Sequence, residues 1–318
     1  MMAPMAPLPS RVIRAVAAAG AATVLLTACS WRVETPPIPS RTPTPTVVLR
    51  DEAALREQAV VDAADSTDLG VIESGLAPER LAALGGVYVE YPSASPEPDA
   101  TVSAAPSLDA AVQDAIDEAL ADADVADEDD PGLAAMLRSI ALSHSLAVAA
   151  PGVAGAAPAE RAMPGVGDEA TGPWTPTEDT AVDADTLAAL AVAHDRASFA
   201  YEVAAARASG KERTRALTRS RLHDARAEAL LALPGVEDLR EPLYDVPPAG
   251  TETRKARAAT ERAVEVELAE TYAALIDGAA PDDVPWVLNA SYDAWMRAAA
   301  LAGFDLGSLP ALPGLDIS

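Results

Sequence analysis

The chain has 318 residues, of which 50% are hydrophobic but only 4% are aromatic. Much of the apolar content is alanine, which favours helices because it loses no side-chain entropy there. We therefore predict an all-α protein and exclude an all-β one, which would need branched and aromatic pairs. The formal net charge of −26 would repel phosphates, and no basic stretch offsets it, so we expect no nucleic-acid partner.

Residues 1–28 have the features of a bacterial lipoprotein signal peptide. Two arginines precede the uncharged run of residues 15–26, which is shorter than the roughly 20 residues that a membrane-spanning helix needs. The sequence LTAC at 26–29 then resembles a lipobox, with small residues before the only cysteine of the chain. We predict cleavage between Ala28 and Cys29 and lipidation of Cys29. The alternative is an ordinary signal peptide in which the cysteine occurs by chance.

Lipidation of Cys29 would place the protein on the extracytoplasmic face of the cell membrane. Two acyl chains anchor a protein stably where one is marginal, and no thiol would remain for a disulfide, a metal site or catalysis. Residues 29–48 are rich in proline and threonine, which is typical of an extended polyproline tether. Such a tether would hold the acidic folded part away from anionic lipids.

Residues 49–180 are expected to contain helical segments joined by linkers. The first helix is predicted at 48–65, followed by a weaker one at 78–84. Residues 92–130 are Pro/Ser-rich and then strongly acidic, without any Lys or Arg. We interpret them as a solvated acidic linker, because their acids lack the spacing of a calcium-binding EF-hand loop.

A third helix is predicted at 131–149, where Asp130 and Pro131 form an N-cap and a first helical position. Its apolar stripe must be buried, and His144 lies on that stripe as a packed core residue. The Pro/Gly/Ala-rich stretch 150–180 is predicted to be a second linker or a surface excursion.

Residues 181–318 carry the clearest helical pattern. A connection of one or two residues near Gly210 separates the first two predicted helices, so they should form an antiparallel hairpin. A long link that contains four prolines then suits a crossover along a bundle. The four predicted helices cover residues 183–209, 211–233, 253–277 and a stretch from after 281 to about 303.

Six segments follow one another within residues 181–318: AVAHDRASFAYEVAAAR, RLHDARAEALLAL, EPLYDVP, ELAETYAALIDGAA, PWVLNASYDAWMRAAALAG and LPALPGL. In this order they resemble the ferritin-like domain of unknown function found in actinobacterial proteins, many of them lipoproteins. The resemblance implies a ferritin-like four-helix bundle and carries no particular activity. Glutamate is common in that family seven residues before the position of Tyr201, where this chain has His194.

The ligands of a ferritin-like di-iron centre include a Glu-x-x-His pair on each of two helices. No histidine of this chain has a glutamate three residues before it, so the sequence excludes that centre. His194, His223 and Glu261 lie on inward stripes of their helices and could converge on a looser site for one metal ion. The alternative, which we favour, is a buried polar network that sets the register of the bundle.

Other catalytic patterns are missing from the sequence. It has no Gly-x-Ser-x-Gly elbow, no His-Glu-x-x-His and no complete phosphate loop. Asp293 and Arg297, four residues apart, are interpreted as a surface ion pair. We therefore predict no catalytic residue, no metal and no cofactor. The preferred function is a membrane-anchored, non-enzymatic binding or structural module of unknown partner, and the alternative is a degenerate ferritin-like metal-binding or redox protein.

Overall fold

The computed structural model describes residues 43–88, 107–153, 160–167, 174–245 and 250–315. The chain divides into two units, and all the helices described below belong to the second, Thr44–Ser318. The predicted signal peptide, Cys29 and most of the predicted tether lie outside the described residues.

The described residues form α-helices and short 3₁₀ turns and contain no strand, which confirms the prediction of an all-α protein for this part of the chain. The helices are α1 (Pro45–Ala63), α2 (Asp68–Ala83), α3 (Leu108–Ala126), α4 (Pro131–Ala149), α5 (Ala184–Ala206), α6 (Gly210–Leu231), α7 (Arg254–Ala273) and α8 (Val284–Ala299).

The eight helices pack as two groups of four with the same order of contacts. In the first group, short links join α1 to α2 and α3 to α4, and α1 also packs on α3. In the second group, α5 pairs with α6, α7 pairs with α8, and α5 packs on α7. Helix α4 contacts α8, and buried apolar residues of both groups form one continuous cluster. The helices before residue 181 therefore share a core with those after it.

The prediction of an acidic linker at 92–130 is wrong for the part that forms α3. Ser107 caps the helix by accepting a hydrogen bond from the Ala110 N–H. The acidic residues of α3 mostly point outward, whereas Ala111, Val112 and Ile116 are buried on the inner face. The density of acids suggested a linker, but their helical phase leaves an apolar stripe free to pack.

Helix α2 is also longer than predicted, because it begins ten residues before Pro78. Thr67 caps its first turn by accepting a hydrogen bond from the Gly70 N–H at 3.1 Å, and Pro78 lies inside the helix. A proline inside a helix usually ends it, but here the helix continues through Pro78, where the predicted helix began.

Helix α4 has the predicted bounds. Asp130 accepts a hydrogen bond from the Leu133 N–H at 3.0 Å, which forms the predicted cap. Among the described residues, the stretch Pro131–Gly152 is the one long and apolar enough to cross a membrane, but most of it is buried within the protein. Its apolar composition is therefore accounted for by its place in the core.

Part of the predicted second linker, 150–180, is bound to α8 instead. The N–H of Arg161 donates to Asp293 at 3.1 Å, and the N–H of Met163 donates to Asn289 at 2.8 Å. The Met163 side chain is fully buried. Backbone hydrogen bonds to buried polar side chains hold this segment, and composition alone does not show them.

The sequence LPALPGL at 309–315, here called the C-terminal strap, connects the two groups of helices. Ser139 and Ser143 of α4 donate hydroxyl hydrogen bonds to the carbonyls of Pro313 and Pro310, at 2.8 and 2.9 Å. Gly314 has a φ of +82° and lies directly against the carbonyl of Ala273, at the end of α7. The strap thus contacts α4 of the first group and α7 of the second.

We expect Gly314→Ala to destabilise the protein by at least about 2 kcal/mol. An added Cβ would lie 2.0 Å from the Ala273 carbonyl oxygen, and the left-handed backbone disfavours any side chain. Gly278→Ala is the matched control, because Gly278 also has a positive φ but no atom within 4 Å of an added Cβ, so its cost should be about 1 kcal/mol. Urea unfolding measures both. Equal losses would contradict the close contact of the strap.

Candidate functional site

The first group of helices encloses a charged cluster, here called the Arg80 cluster. The guanidinium of Arg80, on α2, donates from Nε to Glu57 at 3.0 Å and from Nη1 to Ser143 at 2.9 Å, and it also pairs with Glu73. His144 contacts Glu57 through Nε2 at 2.7 Å and Glu73 through Nδ1 at 2.9 Å. All five side chains are buried. His144 therefore lies in the core as predicted, with both ring nitrogens engaged.

The charges of the Arg80 cluster balance when His144 is protonated. Burial by itself raises the pKa of Glu57 and of Glu73, but the charges of His144 and Arg80 outweigh it and lower both pKa values. Burial and Arg80 act to lower the pKa of His144, yet the two carboxylates prevail and raise it. Two anions and two cations then leave a neutral cluster, as burial requires.

The second group of helices encloses the Arg219 cluster. Arg219, on α6, is fully buried and makes a two-pronged contact with Glu265 of α7, from Nε at 2.7 Å and from Nη2 at 2.8 Å. Its Nη1 donates to Asp293 of α8 at 2.9 Å, and Arg226 donates to the same carboxylate at 3.0 Å. Arg226 also reaches Glu160 at 2.8 Å. Two cations and two buried anions balance without a charged histidine.

A chain of hydrogen bonds leads from Tyr272 to Glu265 through both histidines of the Arg219 cluster. The contacts are Tyr272 to His194 Nε2 at 2.5 Å, His194 Nδ1 to His223 Nδ1 at 3.0 Å, and His223 Nε2 to Glu265 at 3.3 Å. Since Glu265 can only accept, the consistent assignment is that Tyr272 donates to His194, His194 to His223 and His223 to Glu265. Every link then uses a neutral imidazole.

The pKa values agree with neutral histidines in this chain. Burial lowers the pKa of His223 to about 4, despite the nearby Glu265 carboxylate. Burial also lowers the pKa of His194 well below its usual range, and the neighbouring His223 and two arginines lower it further. Burial would raise the pKa of Glu265, but Arg219 holds it well below its ordinary value. The pKa of histidine is thus raised in one cluster and lowered in the other.

Glu261 lies apart from the two histidines with which it was predicted to converge. Its Oε2 accepts from Arg215 at 2.9 Å and lies 3.9 Å from Arg297, while its Oε1 is buried without a hydrogen-bond partner among the described residues. Burial raises the pKa of Glu261 although Arg215 and Arg297 act to lower it. The structure brings His194 and His223 together and places Glu265, one helical turn after Glu261, beside them.

Arg219 and Glu265 were not among the predicted site residues, and Asp293 and Arg297 lie in the core rather than on the surface. The last two are buried and do not pair with each other: Asp293 pairs with Arg219 and Arg226, and Arg297 donates to Tyr201 at 3.4 Å. The prediction of a surface ion pair is therefore wrong. The spacing of Arg219 and His223, four residues apart, was a usable signal that both share the inner face of α6.

The arrangement leaves little for a metal ion or a substrate to bind inside the bundle. Within the described ranges, no group of three or more His, Cys, Asp or Glu residues is placed to hold a metal ion. All three histidines are fully buried, and the carboxylates beside them bind guanidinium groups. In each cluster a fully buried arginine therefore supplies positive charge to the carboxylates.

No family model, no curated protein and no solved structure matches the chain. The assignment of a function therefore depends on the sequence motifs and on the geometry described above.

We expect the three histidines to differ in charge at pH 7. His144 should be an imidazolium ion, and His194 and His223 should be neutral, because the cluster charges balance only in that state. Nitrogen-15 NMR of the imidazole rings measures this directly, and His144→Gln assigns the charged signal by removing it. Three neutral rings, or a titration of His223 near its usual value of about 6.5, would contradict the charge balance.

Proposed function

We propose that this protein is a lipid-anchored extracytoplasmic protein whose folded part is a non-enzymatic, ferritin-like helical module. The module binds or supports a partner at the cell surface and is held off the membrane by the Pro/Thr-rich tether. The proposal includes no cofactor and no nucleic-acid partner. The membrane is engaged only through the lipid on Cys29.

The anchor is supported by the sequence. The sequence has two arginines, then an uncharged run that is too short to span a membrane, then small residues and the only cysteine of the chain. This is the order that lipoprotein processing needs. Four prolines, at positions 36, 37, 39 and 43, lie between this motif and the start of α1 at Pro45. The acidic composition also suits a folded part that stands away from anionic lipid, because like charges repel.

The ferritin-like assignment is supported by the order of helices α5 to α8. Two helix hairpins are joined by a link from 232 to 253, and the first helices of the two hairpins are in contact. This is the arrangement expected of a four-helix bundle with a long crossover connection. Polar side chains project into its interior, as in ferritin-like proteins, but here they form ion pairs with one another.

The observation that carries the non-enzymatic assignment is the burial of the three histidines, whose ordinary pKa best suits acid–base catalysis near neutral pH. A general acid or base must come within hydrogen-bond reach of its substrate. His144, His194 and His223 are fully buried, and each ring nitrogen has a protein partner. A reaction at any of them would require the helices to separate and expose paired charges.

We expect the protein from its native host to carry a lipid on Cys29. Intact-mass spectrometry should find the chain beginning at Cys29 with added diacylglyceryl mass, and the protein should fractionate with membranes. Cys29→Ala should release it from the membrane fraction, whereas Ser30→Ala is a neighbouring substitution that should leave attachment unchanged. An unmodified cysteine, or full membrane partition of Cys29→Ala, would refute the anchor.

A degenerate metal or redox protein is the second candidate, because His194 and His223 are in direct contact. Metal analysis of protein purified without a histidine tag separates the two functions. We expect far less than one metal ion per chain, since Arg219 already neutralises the nearest carboxylate. Near-stoichiometric iron, manganese or zinc that is lost in His194→Ala and His223→Ala, but retained in the control His144→Ala, would favour the second candidate.

A further inference from the structure

A cationic cavity opens at the end of the second helix group where α6 and α7 begin. Its volume is about 680 Å³, which lies within the roughly 300 to 1,000 Å³ of small-molecule sites. Its walls come from the first turns of α6, the first turns of α7 and residues 301–303 after α8. It lies outside both buried clusters, and nothing in the proposed function uses it.

Basic side chains dominate the polar part of this cavity. Arg215, Arg254, Lys255 and Arg262 line it, against the single carboxylate of Glu212. The local excess of three positive charges contrasts with the net charge of −26 for the whole chain. A concentration of cations on so acidic a protein would attract anions to this one place.

Internal pairing leaves most of these cations available. Glu212 is already bound by Arg257, at 2.7 Å, so it does not neutralise the cavity. Arg254 and Lys255 form no ion pair with any described residue, and Arg262 donates only to the carbonyl of Ala302, at 2.8 Å. Arg215 is paired with Glu261 at 2.9 Å, so the uncompensated charge that faces the cavity is that of Arg254, Lys255 and Arg262.

The start of α7 also points to an anionic ligand. Its first turn has basic residues and no acid, although the positive end of a helix dipole favours acids. An oxyanion in the cavity would offset this concentration of positive charge.

The rest of the lining is apolar. Ala258 and Ala259 lie on the same face of α7 as the cations, and Leu301 follows α8. A fully charged ligand such as inorganic phosphate would leave this surface unused. We propose that the cavity binds a small organic anion, namely a phosphate or carboxylate group carried on an apolar group. The inference does not depend on the lipid anchor, because the cavity belongs to the folded part alone.

Calorimetric titration of the full chain tests the proposal with phenyl phosphate as the probe. We expect one binding site per chain and binding at least about tenfold tighter than that of inorganic phosphate, because only phenyl phosphate covers the apolar lining. Benzyl alcohol, which has the ring without the charge, should not bind. Absence of phenyl phosphate binding at millimolar concentration would overturn the proposal.

A pair of charge-matched variants locates the site. Arg254→Gln/Lys255→Gln should weaken phenyl phosphate binding by about tenfold or more, because two unpaired cations are lost. Lys211→Gln/Arg213→Gln removes the same charge from exposed positions nearby that do not line the cavity, and should change binding by less than about twofold. Unaltered thermal unfolding checks that both variants fold. Equal weakening in both would show general attraction only and would overturn the assignment.

The source of the anion is distinguished by a second probe, monomeric dihexanoylphosphatidylglycerol. Binding of this probe that is lost in Arg254→Gln/Lys255→Gln supports the site and identifies a lipid headgroup as the ligand class. Binding of phenyl phosphate alone also supports the site and identifies a free organic phosphate. Failure of both probes would refute the cavity as a binding site while leaving the mass-spectrometric result on Cys29 unaffected.

Discussion

A buried guanidinium needs buried carboxylates beside it, because an unpaired charge in a helical core costs several kcal/mol. Arg80 and Arg219 are both fully buried, and this requirement determines much of what surrounds them. The partners of Arg80 come from α1, α2 and α4, and those of Arg219 come from α7 and α8. Loss of either arginine would leave two carboxylates in the core without their principal counter-charge. We infer that these clusters set the register of the helices, because the apolar contacts between the helices specify a register only weakly.

The apolar contacts specify the helix register weakly because so many of them are made by alanine. Small side chains allow helices to approach closely, but they offer few shapes that fit in one position only. Directional contacts therefore carry more of the specificity here than in a core of large side chains. Directional contacts also hold the C-terminal strap, since two serine hydroxyls and one glycine position it between α4 and α7. These contacts also join the two helix groups.

The distribution of charge separates the interior of the protein from its surface. In the two buried clusters, cations pair with anions, and the expected charge of each histidine depends on the other charges around it. On the surface, acids prevail, and the cavity beside the first turn of α7 is a local exception. We therefore expect ligand recognition at this open end of the molecule, because Arg254 and Lys255 have no ion-pair partner among the described residues, whereas the charges of the two buried clusters pair with one another.

The sequence by itself determined the helical class, the bounds of α4 and the order of the four helices after residue 181. These follow from local properties, namely alanine content, capping residues and a 3.6-residue apolar period. It also placed His144 in the core. Helix α3 was missed because its acids were counted without their phase on the helix, and the prediction for α2 covered only its last turns, from Pro78.

Only the tertiary structure decided which polar residues meet. His194 and His223 contact each other, but Glu265 rather than Glu261 completes their chain, although both glutamates lie on α7 one turn apart. Helical spacing assigns a residue to a face, whereas its partner depends on the rotation and axial shift of the neighbouring helix. This rotation and this axial shift are set by packing and charge pairing over the whole core. No local pattern in the sequence therefore shows that Arg219 pairs with the carboxylates of Glu265 and Asp293.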